Sequence, residues 1–301
     1  MSHDSHSFGA GFGRQGGGCL KSVLGNPRIL IALGLAAFAI IKYMTGTTKE
    51  VNPFTGDKVT VLKITPEEET AMGLKSVPQM AQQFGGEIRD PEIANKINEI
   101  GQRLLAAKER IISRRKMQDV EYDYNFKFHV LGDRQTINAF ALPGGQVFIT
   151  HALLEKLPNE DAVAGVLGHE IGHVLARHSI QQIAKSGLIT GLINAGVVAT
   201  SDGSGGNTQI AQMVNQVVQT RYGREAESQS DRIGIQLMIE AGYKPQELLS
   251  VMKVLAASMS GGRPPEMLSS HPFPETRARQ IEKYIEFFTK NGPSAHWTGG
   301  D

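Results

Sequence analysis

The segment His169-Glu170-Ile171-Gly172-His173 constrains this 301-residue chain more than any other part of its sequence. It follows a periodic apolar stretch, residues 161–168, which predicts that the segment lies on a buried helix. Side chains four residues apart on a helix differ by about 40° around its axis, so both imidazoles project from one face and can bind one zinc ion. Glu170 lies about 100° further round, where a general base for a water molecule beside the metal belongs.

A catalytic zinc site also needs a third protein ligand and an open fourth position. The best candidate is Glu227, which shares a predicted helix face with Asp231. Glu227 would complete the ligand set, and Asp231 would accept a hydrogen bond from a ligating imidazole and so fix its tautomer. The competing Glu225 points about 200° away from Glu227 on the same helix. In isolation these carboxylates are typical of a solvated charged face, but the histidine pair favours the zinc site.

The composition of the chain excludes several other kinds of site. It has 31 lysines and arginines against 30 acidic residues, which gives no basic excess for binding nucleic acid. Its single cysteine, Cys19, excludes an internal disulfide framework and a cysteine-built zinc site. An apolar fraction of 40% is sufficient for a globular core, and the length suits one catalytic domain with a short appendage.

The N-terminal part of the chain predicts a membrane anchor. Residues 1–26 are rich in Gly and Ser and are predicted to form a flexible tail. Residues 29–41 carry no charged or strongly polar side chain, and Arg28 and Lys42 can reach the interfaces, so a helix over residues 27–44 can cross a bilayer. A cleaved signal peptide is the alternative, which the long leader and the lack of a small-x-small cleavage site disfavour.

The rest of the chain is divided into a predicted linker at 45–64, a domain at 65–291 and a C-terminal tail at 292–301. Thr65 and Glu68 predict a capping box at the start of the domain. A helix is predicted at 91–110, a strand at 122–130, and two extended segments joined by a Pro-Gly-Gly turn at 140–150. The chain after Thr150 is predicted to be almost wholly helical, in stretches at 159–178, 179–199, 208–222, 223–241, 245–259 and 275–290.

With these motifs the sequence resembles the gluzincin zinc metallopeptidases of the CAAX prenyl protease and HtpX-like family over about residues 60 to 290. It is most similar to the membrane-tethered members that act in quality control of envelope proteins. The resemblance rests on the His-Glu-x-x-His segment, on Arg224-x-x-Glu227-x-x-x-Asp231, on residues 137–145, and on Ser270-His271-Pro272 followed by Arg277. It implies a mainly α (α+β) fold with a small β-sheet edge lining the active-site cleft, one Zn²⁺ per chain, and Glu227 as the third ligand.

The resemblance also implies roles for residues outside the ligand set. The segment Asn138-Ala139-Phe140-Ala141 would form an edge strand that pairs with the backbone of a polypeptide substrate. His271 either stabilises the oxyanion of the reaction together with Arg277, or binds the metal as a fourth ligand and keeps the site latent. A histidine in an ordinary Ser-His-Pro turn is the third interpretation. The spacing of His178 from His169 would place it near the site, but it is interpreted as a helix-end histidine.

Together these features predict a membrane-anchored zinc metalloendopeptidase. Glu170 would activate water for attack on a peptide carbonyl and then protonate the leaving amine, with no covalent intermediate. The predicted substrates are unfolded or misassembled membrane and envelope proteins. The predicted location is a bacterial inner membrane, crossed once, with the catalytic domain in the periplasm; a mitochondrial inner membrane is the alternative. The alternative function is a zinc-stabilised chaperone or assembly scaffold with minor or latent proteolysis, which the intact Glu170 disfavours.

Overall fold

The computed structural model describes residues 27–117, 124–187, 221–258, 265–271, 275–297 and 299. The predicted N-terminal tail, most of the helix predicted at 179–199, and all but the last two residues of the helix predicted at 208–222 lie outside these ranges. Of the described residues, 27–44 and Gly187 fall in one compact unit, and the others fall in a second.

Helix α1 (Pro27–Gly46) contains the predicted membrane anchor and continues two residues past it. It begins with proline at the first helical position, where the missing N–H has no intrahelical partner to lose. The part Ile29–Gly46 has a mean hydropathy of 1.9 and is long and apolar enough to cross a membrane by length and composition. Phe38 and Met44 are 63% and 70% exposed. A helix with this much apolar surface is suited to association with a membrane.

Residues 45–64 were predicted to be a linker, and this prediction is wrong because they form a hairpin of the folded domain. Strands β1 (Thr47–Val51) and β2 (Lys58–Leu62) pair antiparallel across a turn that contains Gly56 at φ 77°. One face of β2 is buried in an apolar cluster of Val59, Val61, Ile180 and Ile183. The same turn residues occur in linkers and in hairpins, and the alternation along β2 is too short to distinguish the two.

The domain that follows α1 is mainly helical with a small three-stranded sheet, so the predicted fold class is confirmed. A further helical segment, residues 178–187, follows α5. The other elements in chain order are α2 (Pro66–Gln83), α3 (Pro91–Arg115), β3 (Lys127–Leu131), β4 (Ala139–Leu142), β5 (Gln146–Thr150), α4 (His151–Leu154), α5 (Glu160–Leu175), α6 (Arg224–Ala241), α7 (Glu247–Ala257), α8 (Glu266–Ser270) and α9 (Glu275–Asn291).

Polar caps start the two long helices α2 and α3. At α2 the predicted capping box is confirmed, since the Glu68 N–H donates to the Thr65 hydroxyl and the Thr65 N–H donates to the Glu68 carboxylate. Helix α3 continues past its predicted end at Arg110 to Arg115, and Lys116 ends it in the left-handed conformation at φ 52°. Apolar side chains of α3 then form one wall of the main core.

The three-stranded sheet has the order β3-β5-β4, with β5 in the centre. Strand β3 runs parallel to β5, whereas β4 pairs antiparallel and forms an edge. The predicted pair of extended segments joined by a Pro-Gly-Gly turn is confirmed, with Gly144 and Gly145 at φ 71° and 94°. The strand predicted at 122–130 is shorter among the described residues, because the first ladder residue is Lys127.

Helices α5 and α6 pack closely because glycines lie at their contact. A Cβ atom on Gly168 would lie 3.4 Å from the Gly234 backbone, and one on Gly234 would lie 3.0 Å from the Gly168 backbone. A Cβ atom on Gly172 would lie only 2.7 Å from the Ser230 carbonyl oxygen. The two helices therefore approach at a distance that side chains at these positions would prevent.

The predicted C-terminal tail is also packed in the described part, 292–297. Arg115 donates hydrogen bonds to the carbonyl oxygens of Ser294 and Ala295 at 3.1 and 3.0 Å. The Trp297 ring packs edge-on against Tyr284 of α9, with ring centroids 4.8 Å apart. A short polar sequence gave no periodic signal for this packing, which depends on the surface of α9.

Candidate metal centre

Four buried side chains from α5, α6 and the end of α8 converge on one point. His169 and His173 come from α5, Glu227 from α6, and His271 directly follows α8. Each offers one ligand atom, and these atoms lie within 4.8 Å of one another. All four residues are at most 3% exposed. The structure thus brings the three predicted zinc ligands and His271 together.

The distances within this cluster suit a small cation with nitrogen and oxygen ligands. The Nε2 atoms of His169 and His173 lie 3.0 Å apart. The carboxylate oxygens of Glu227 lie 3.6 Å from His169 Nε2 and 3.5 Å from His173 Nε2. His271 Nδ1 lies 3.4 Å from His169 Nε2 and 3.0 Å from Glu227 Oε1. Nitrogen ligands about 2.0–2.1 Å from a tetrahedral zinc ion are about 3.3 Å apart, close to these separations.

Proton assignments on the two imidazoles of α5 also favour a cation. His169 Nδ1 lies 2.9 Å from Asp231 Oδ1, and an ionised carboxylate only accepts, so this Nδ1 carries the ring proton. The same assignment at His173 leaves two Nε2 lone pairs facing each other at 3.0 Å, which is repulsive without a cation between them. Burial lowers the pKa of His173 well below its usual range and keeps the ring in the neutral, ligating form. The residues present therefore fit a zinc ion.

Charged groups lie behind His169. Asp231 accepts hydrogen bonds from Arg277 Nε at 2.7 Å and Arg277 Nη2 at 2.8 Å, in addition to the one from His169. Burial opposes ionisation of Asp231, but Arg277 outweighs it and lowers the Asp231 pKa. Arg277 Nη1 also lies 2.6 Å from Glu227 Oε2. Arg277, which was predicted to stabilise an oxyanion, thus contacts two carboxylates of the centre.

Neutral groups lie behind His173. His173 Nδ1 lies 2.9 Å from His178 Nδ1, and His178 Nε2 lies 2.9 Å from Gln229 Oε1. Burial lowers the pKa of His178 to about 4, so its ring is neutral at physiological pH. The interpretation of His178 as a helix-end histidine is wrong: it begins the segment 178–187 after Arg177, whose φ of 56° redirects the chain. The spacing from His169 was the only signal of its proximity.

Glu170 lies beside the cluster without being one of its four members. It is 1% exposed, and no group in the described part of the chain donates a hydrogen bond to its Oε1 atom. His271 Nε2 is 3.7 Å from this atom. Burial raises the pKa of Glu170 above its usual range, with the Glu227 charge adding to the effect. A buried carboxylate that has a raised pKa and lies next to candidate metal ligands is suited to proton transfer.

Glu227 and His271 form a buried ion pair in the metal-free site, with Glu227 Oε1 3.0 Å from His271 Nδ1. Burial opposes ionisation of Glu227, but the His271 and Arg277 charges outweigh it and hold the pKa of Glu227 well below the usual range. Burial opposes protonation of His271, yet Glu227 and Glu170 raise the His271 pKa above its usual value. Without metal, His271 therefore supplies positive charge to the carboxylates.

Tyr222 is a residue of the site that sequence reasoning missed. Its ring lies over His173, with centroids 4.1 Å apart, and 5.4 Å from the His271 ring. Burial raises the pKa of Tyr222 above its usual value, so it packs against His173 as a neutral ring. Tyr222 lies two residues before the start of α6, and no periodic pattern distinguished it from a core aromatic residue.

Strand β4 carries the predicted substrate-binding segment Asn138–Ala141 and contacts α5. The Thr150 N–H donates to the Asn138 carbonyl at 3.0 Å, so ladder hydrogen bonds alternate along β4. In that alternation the N–H and C=O groups of Ala139 and Ala141 point away from β5. The side chains of the segment are buried, and Asn138 Oδ1 has no hydrogen-bond partner among the residues described.

An apolar pocket opens beside His169 and His271. Most of its lining comes from side chains of α7, and Val166 of α5 and Met267 of α8 complete the apolar part. Arg277 also borders it. The contributing side chains of α7 are Leu248, Val251, Met252 and Leu255. The lining of this pocket beside the candidate metal ligands is thus suited to an apolar group rather than a charged one.

Comparison with known proteins places this site in a family. Residues 97–285 match peptidase family M48. The beta-barrel assembly-enhancing protease of Yersinia pestis is 32% identical over 221 residues, which are 70% of this chain and 42% of that protein. The mitochondrial metalloendopeptidase OMA1 of Schizosaccharomyces pombe is 32% identical over 177 residues, which are 58% of this chain and 50% of that protein.

A shorter relative is covered more completely. The metalloprotease YcaL of Escherichia coli strain K12 is 29% identical over 196 residues, which are 64% of this chain and 73% of that protein. The alignment to the Yersinia pestis protein, by contrast, spans less than half of its length. The part of the chain that matches the family, residues 97–285, contains His169, His173, Glu227 and His271.

Proposed function

The chain belongs to peptidase family M48, and we propose that it is a membrane-anchored zinc metalloendopeptidase acting on unfolded or damaged envelope proteins. The observation that carries the proposal is the buried cluster of His169, His173, Glu227 and His271, with the carboxylate of Glu170 beside it, whose Oε1 atom accepts no hydrogen bond from the described residues. The names of the relatives, all proteases or metalloproteases, support it.

In this proposal His169, His173 and Glu227 hold the zinc ion. Zinc, when bound, supplies Lewis acidity, which polarises a peptide carbonyl and lowers the pKa of water. Glu170 takes a proton from the attacking water and delivers it to the leaving amine, and its raised pKa suits both transfers. Asp231 keeps the Nδ1 proton of His169 in place so that Nε2 remains a ligand.

We further propose that β4 binds the substrate as an added strand. The outward N–H and C=O groups of Ala139 and Ala141 would pair with an extended peptide, and Asn138 Oδ1 would accept one more hydrogen bond. The apolar pocket lined by α7 would take a neighbouring side chain. Extended backbone and exposed apolar side chains are features of unfolded polypeptides, which favours them as the substrate class.

His271 is proposed to be the fourth ligand of a resting site. Its Nδ1 atom lies within the cluster, 3.0 Å from Glu227 Oε1, and this position favours ligation over the oxyanion role. An open fourth position is needed for catalysis, so His271 would have to leave before substrate is cut. If this role is right, His271→Ala raises peptidase activity; if His271 stabilises the oxyanion, the same change lowers it.

The proposed location is a bacterial inner membrane with the peptidase domain in the periplasm. Helix α1 is the membrane helix in this proposal, and basic residues before its apolar part, Arg14, Lys21 and Arg28, favour a cytoplasmic N-terminus. A mitochondrial inner membrane is the alternative, and one relative is named as mitochondrial. Protease protection of the catalytic domain in spheroplasts and in intact cells distinguishes its side of the membrane.

The experiment that tests the activity uses the full chain in detergent, loaded with zinc. Cleavage of a labelled, permanently unfolded protein is compared between the parent, Glu170→Gln and His271→Ala, with zinc content measured in each. We expect one zinc per chain throughout, cleavage by the parent or by His271→Ala, and a loss of about 10²- to 10⁴-fold in Glu170→Gln. If all three hold zinc and none cleaves, the zinc-stabilised scaffold replaces the protease.

A further inference from the structure

A line of four polar side chains connects the metal centre with the hairpin that follows α1. It begins at His173 Nδ1 and passes through both ring nitrogens of His178 to Gln229 Oε1, with two contacts of 2.9 Å. Gln229 Nε2 then donates to Asp57 Oδ2 at 2.9 Å. Asp57 lies between the two strands of the hairpin. We refer to these four hydrogen-bonded side chains, His173, His178, Gln229 and Asp57, as the hairpin network.

When His173 binds a metal, the hydrogen bonds of the hairpin network can be donated in only one direction. A ligating Nε2 atom requires the proton of His173 on Nδ1, which then donates to His178 Nδ1. His178 must therefore carry its own proton on Nε2, which donates to Gln229 Oε1. The amide of Gln229 leaves its NH₂ group for Asp57, which is an acceptor. Every link thus has one donor and one acceptor, and the series ends on a negative charge.

Because the middle of the hairpin network is buried, water cannot easily replace its hydrogen bonds. His178 and Gln229 are each 3% exposed, whereas the Asp57 side chain is 39% exposed. Among the described residues, the only other hydrogen-bond contact of the His178 ring nitrogens is with Ser230 Oγ, 3.4 Å from Nδ1. Loss of Gln229 or Asp57 would therefore leave a buried donor without a partner.

We propose that His178, Gln229 and Asp57 are positioning residues that orient His173 and increase the basicity of its Nε2 atom toward the metal. The inference rests on the proposed function, because it requires His173 to be a metal ligand. An outer partner of a ligating histidine fixes its tautomer, and hydrogen-bond chains polarise one another. The hairpin directly after the membrane helix is then a functional part of the metal centre.

We expect substitution of Asp57 to weaken metal binding. The Asp57 side chain is 39% exposed, so without the hairpin network its substitution would not affect the metal centre. Removal of an outer partner of a metal-ligating histidine typically weakens metal binding by about 10- to 100-fold. We expect a loss in this range for Asp57→Ala and for Gln229→Met. Asp57→Asn keeps an acceptor oxygen at the end of the hairpin network, so it should retain most of the metal affinity of the parent.

The experiment measures zinc affinity by competition with a chelator, using the full chain in detergent at a fixed neutral pH. Each variant is also loaded with Co²⁺, whose visible absorption spectrum reports the geometry of the ligands. The matched control is Arg232→Met. Arg232 Nη2 contacts the same Asp57 oxygen at 3.4 Å, but Arg232 is not a member of the hairpin network. Arg232→Met removes that ion pair and leaves the Gln229–Asp57 hydrogen bond in place.

The proposal expects parent-like zinc affinity and cobalt spectrum in Arg232→Met, and weaker affinity with an altered spectrum in Asp57→Ala. Parent-like values in Asp57→Ala overturn it, and so does an equal loss in Arg232→Met, which would assign the effect to packing of the hairpin. Should Gln229→Met fail to fold, the partly exposed Asp57 variants decide the matter. A parent chain that binds no zinc contradicts the proposed function itself, which separates the two failures.

Discussion

His169 and His173 lie one helical turn apart on α5, yet their surroundings differ in charge. Behind His169 is a fully buried ion pair, in which Arg277 donates two hydrogen bonds to Asp231. Behind His173 is a line of neutral groups that reaches a charge only at the protein surface. A buried ion pair holds its geometry strongly but is costly to break, whereas a neutral line is easier to modify. The two ligands should therefore respond differently to mutation and to pH.

The largest effect is expected for Arg277→Met in the metal-free chain. This change leaves the carboxylates of Asp231 and Glu227 buried without their cation, so we expect a loss of about 3–5 kcal/mol in the free energy of unfolding. Zinc should restore part of the loss, because it binds Glu227. Urea unfolding, followed by the fluorescence of the single tryptophan Trp297, is measured with and without zinc.

The matched control for Arg277 is Arg279→Met, an exposed arginine on the same helix. It should leave the unfolding free energy within about 0.5 kcal/mol of the parent. Equal losses in the two variants would contradict the importance of the ion pair behind His169.

A smaller and pH-dependent effect is expected on the neutral side of the centre. The pKa of His178 is about 4 in the folded chain against an ordinary value of 6.5, so the unfolded chain binds more protons between these values. In the metal-free chain its contribution to stability is present above pH 6.5 and is lost as pH falls toward 4. The loss is on the order of 3 kcal/mol. The Asp231 pKa is lowered, so the charged side contributes little in this window.

His178→Asn isolates this contribution, because asparagine is polar and does not titrate. We expect the unfolding free energy of the parent to fall more steeply than that of His178→Asn between pH 6.5 and 4.5. Parallel pH profiles for the two proteins would show that His178 takes up its proton as easily in the folded chain as in the unfolded one.

The smallest of these effects is expected where the hairpin meets the end of α5. Asn52 is fully buried, and its Nδ2 atom donates to the Leu175 carbonyl at 2.8 Å, one of the carbonyls left over where the helix ends. Asn52→Ala should lower the free energy of unfolding by about 1–3 kcal/mol. Lys58→Ala, at an exposed position of the same hairpin, is the control. A cost no larger than that of the control would mean that the hairpin does not stabilise α5.

The two sides of the centre also differ in how far the sequence predicts them. The side containing His169, Glu227 and Asp231 follows from four-residue spacings on two helices, which helical periodicity describes well. The line behind His173 does not, because Arg177 breaks the helix in the left-handed conformation and redirects His178. Its last member, Asp57, depends on packing between segments far apart in sequence.

The overall fold was predictable to a similar degree. Long amphipathic helices such as α3, and the turn at residues 143–145, have strong local signals, and both were predicted. The hairpin at 45–64 and the packed residues 292–297 were missed, because each is stabilised by apolar contacts with other elements rather than by its own pattern. Arg277 was placed in the site, but its partners were set by tertiary packing.

The close approach of α5 and α6 has a consequence for protein design. Gly172 lies between His169 and His173 in sequence, and a methyl group there would lie 2.7 Å from the Ser230 carbonyl oxygen of the other helix. A designer who transplants this ligand set into a new helical scaffold must therefore transfer the glycines of both helices as well. With larger residues at these positions, the scaffold would hold the carboxylate too far from the imidazoles to share one ion.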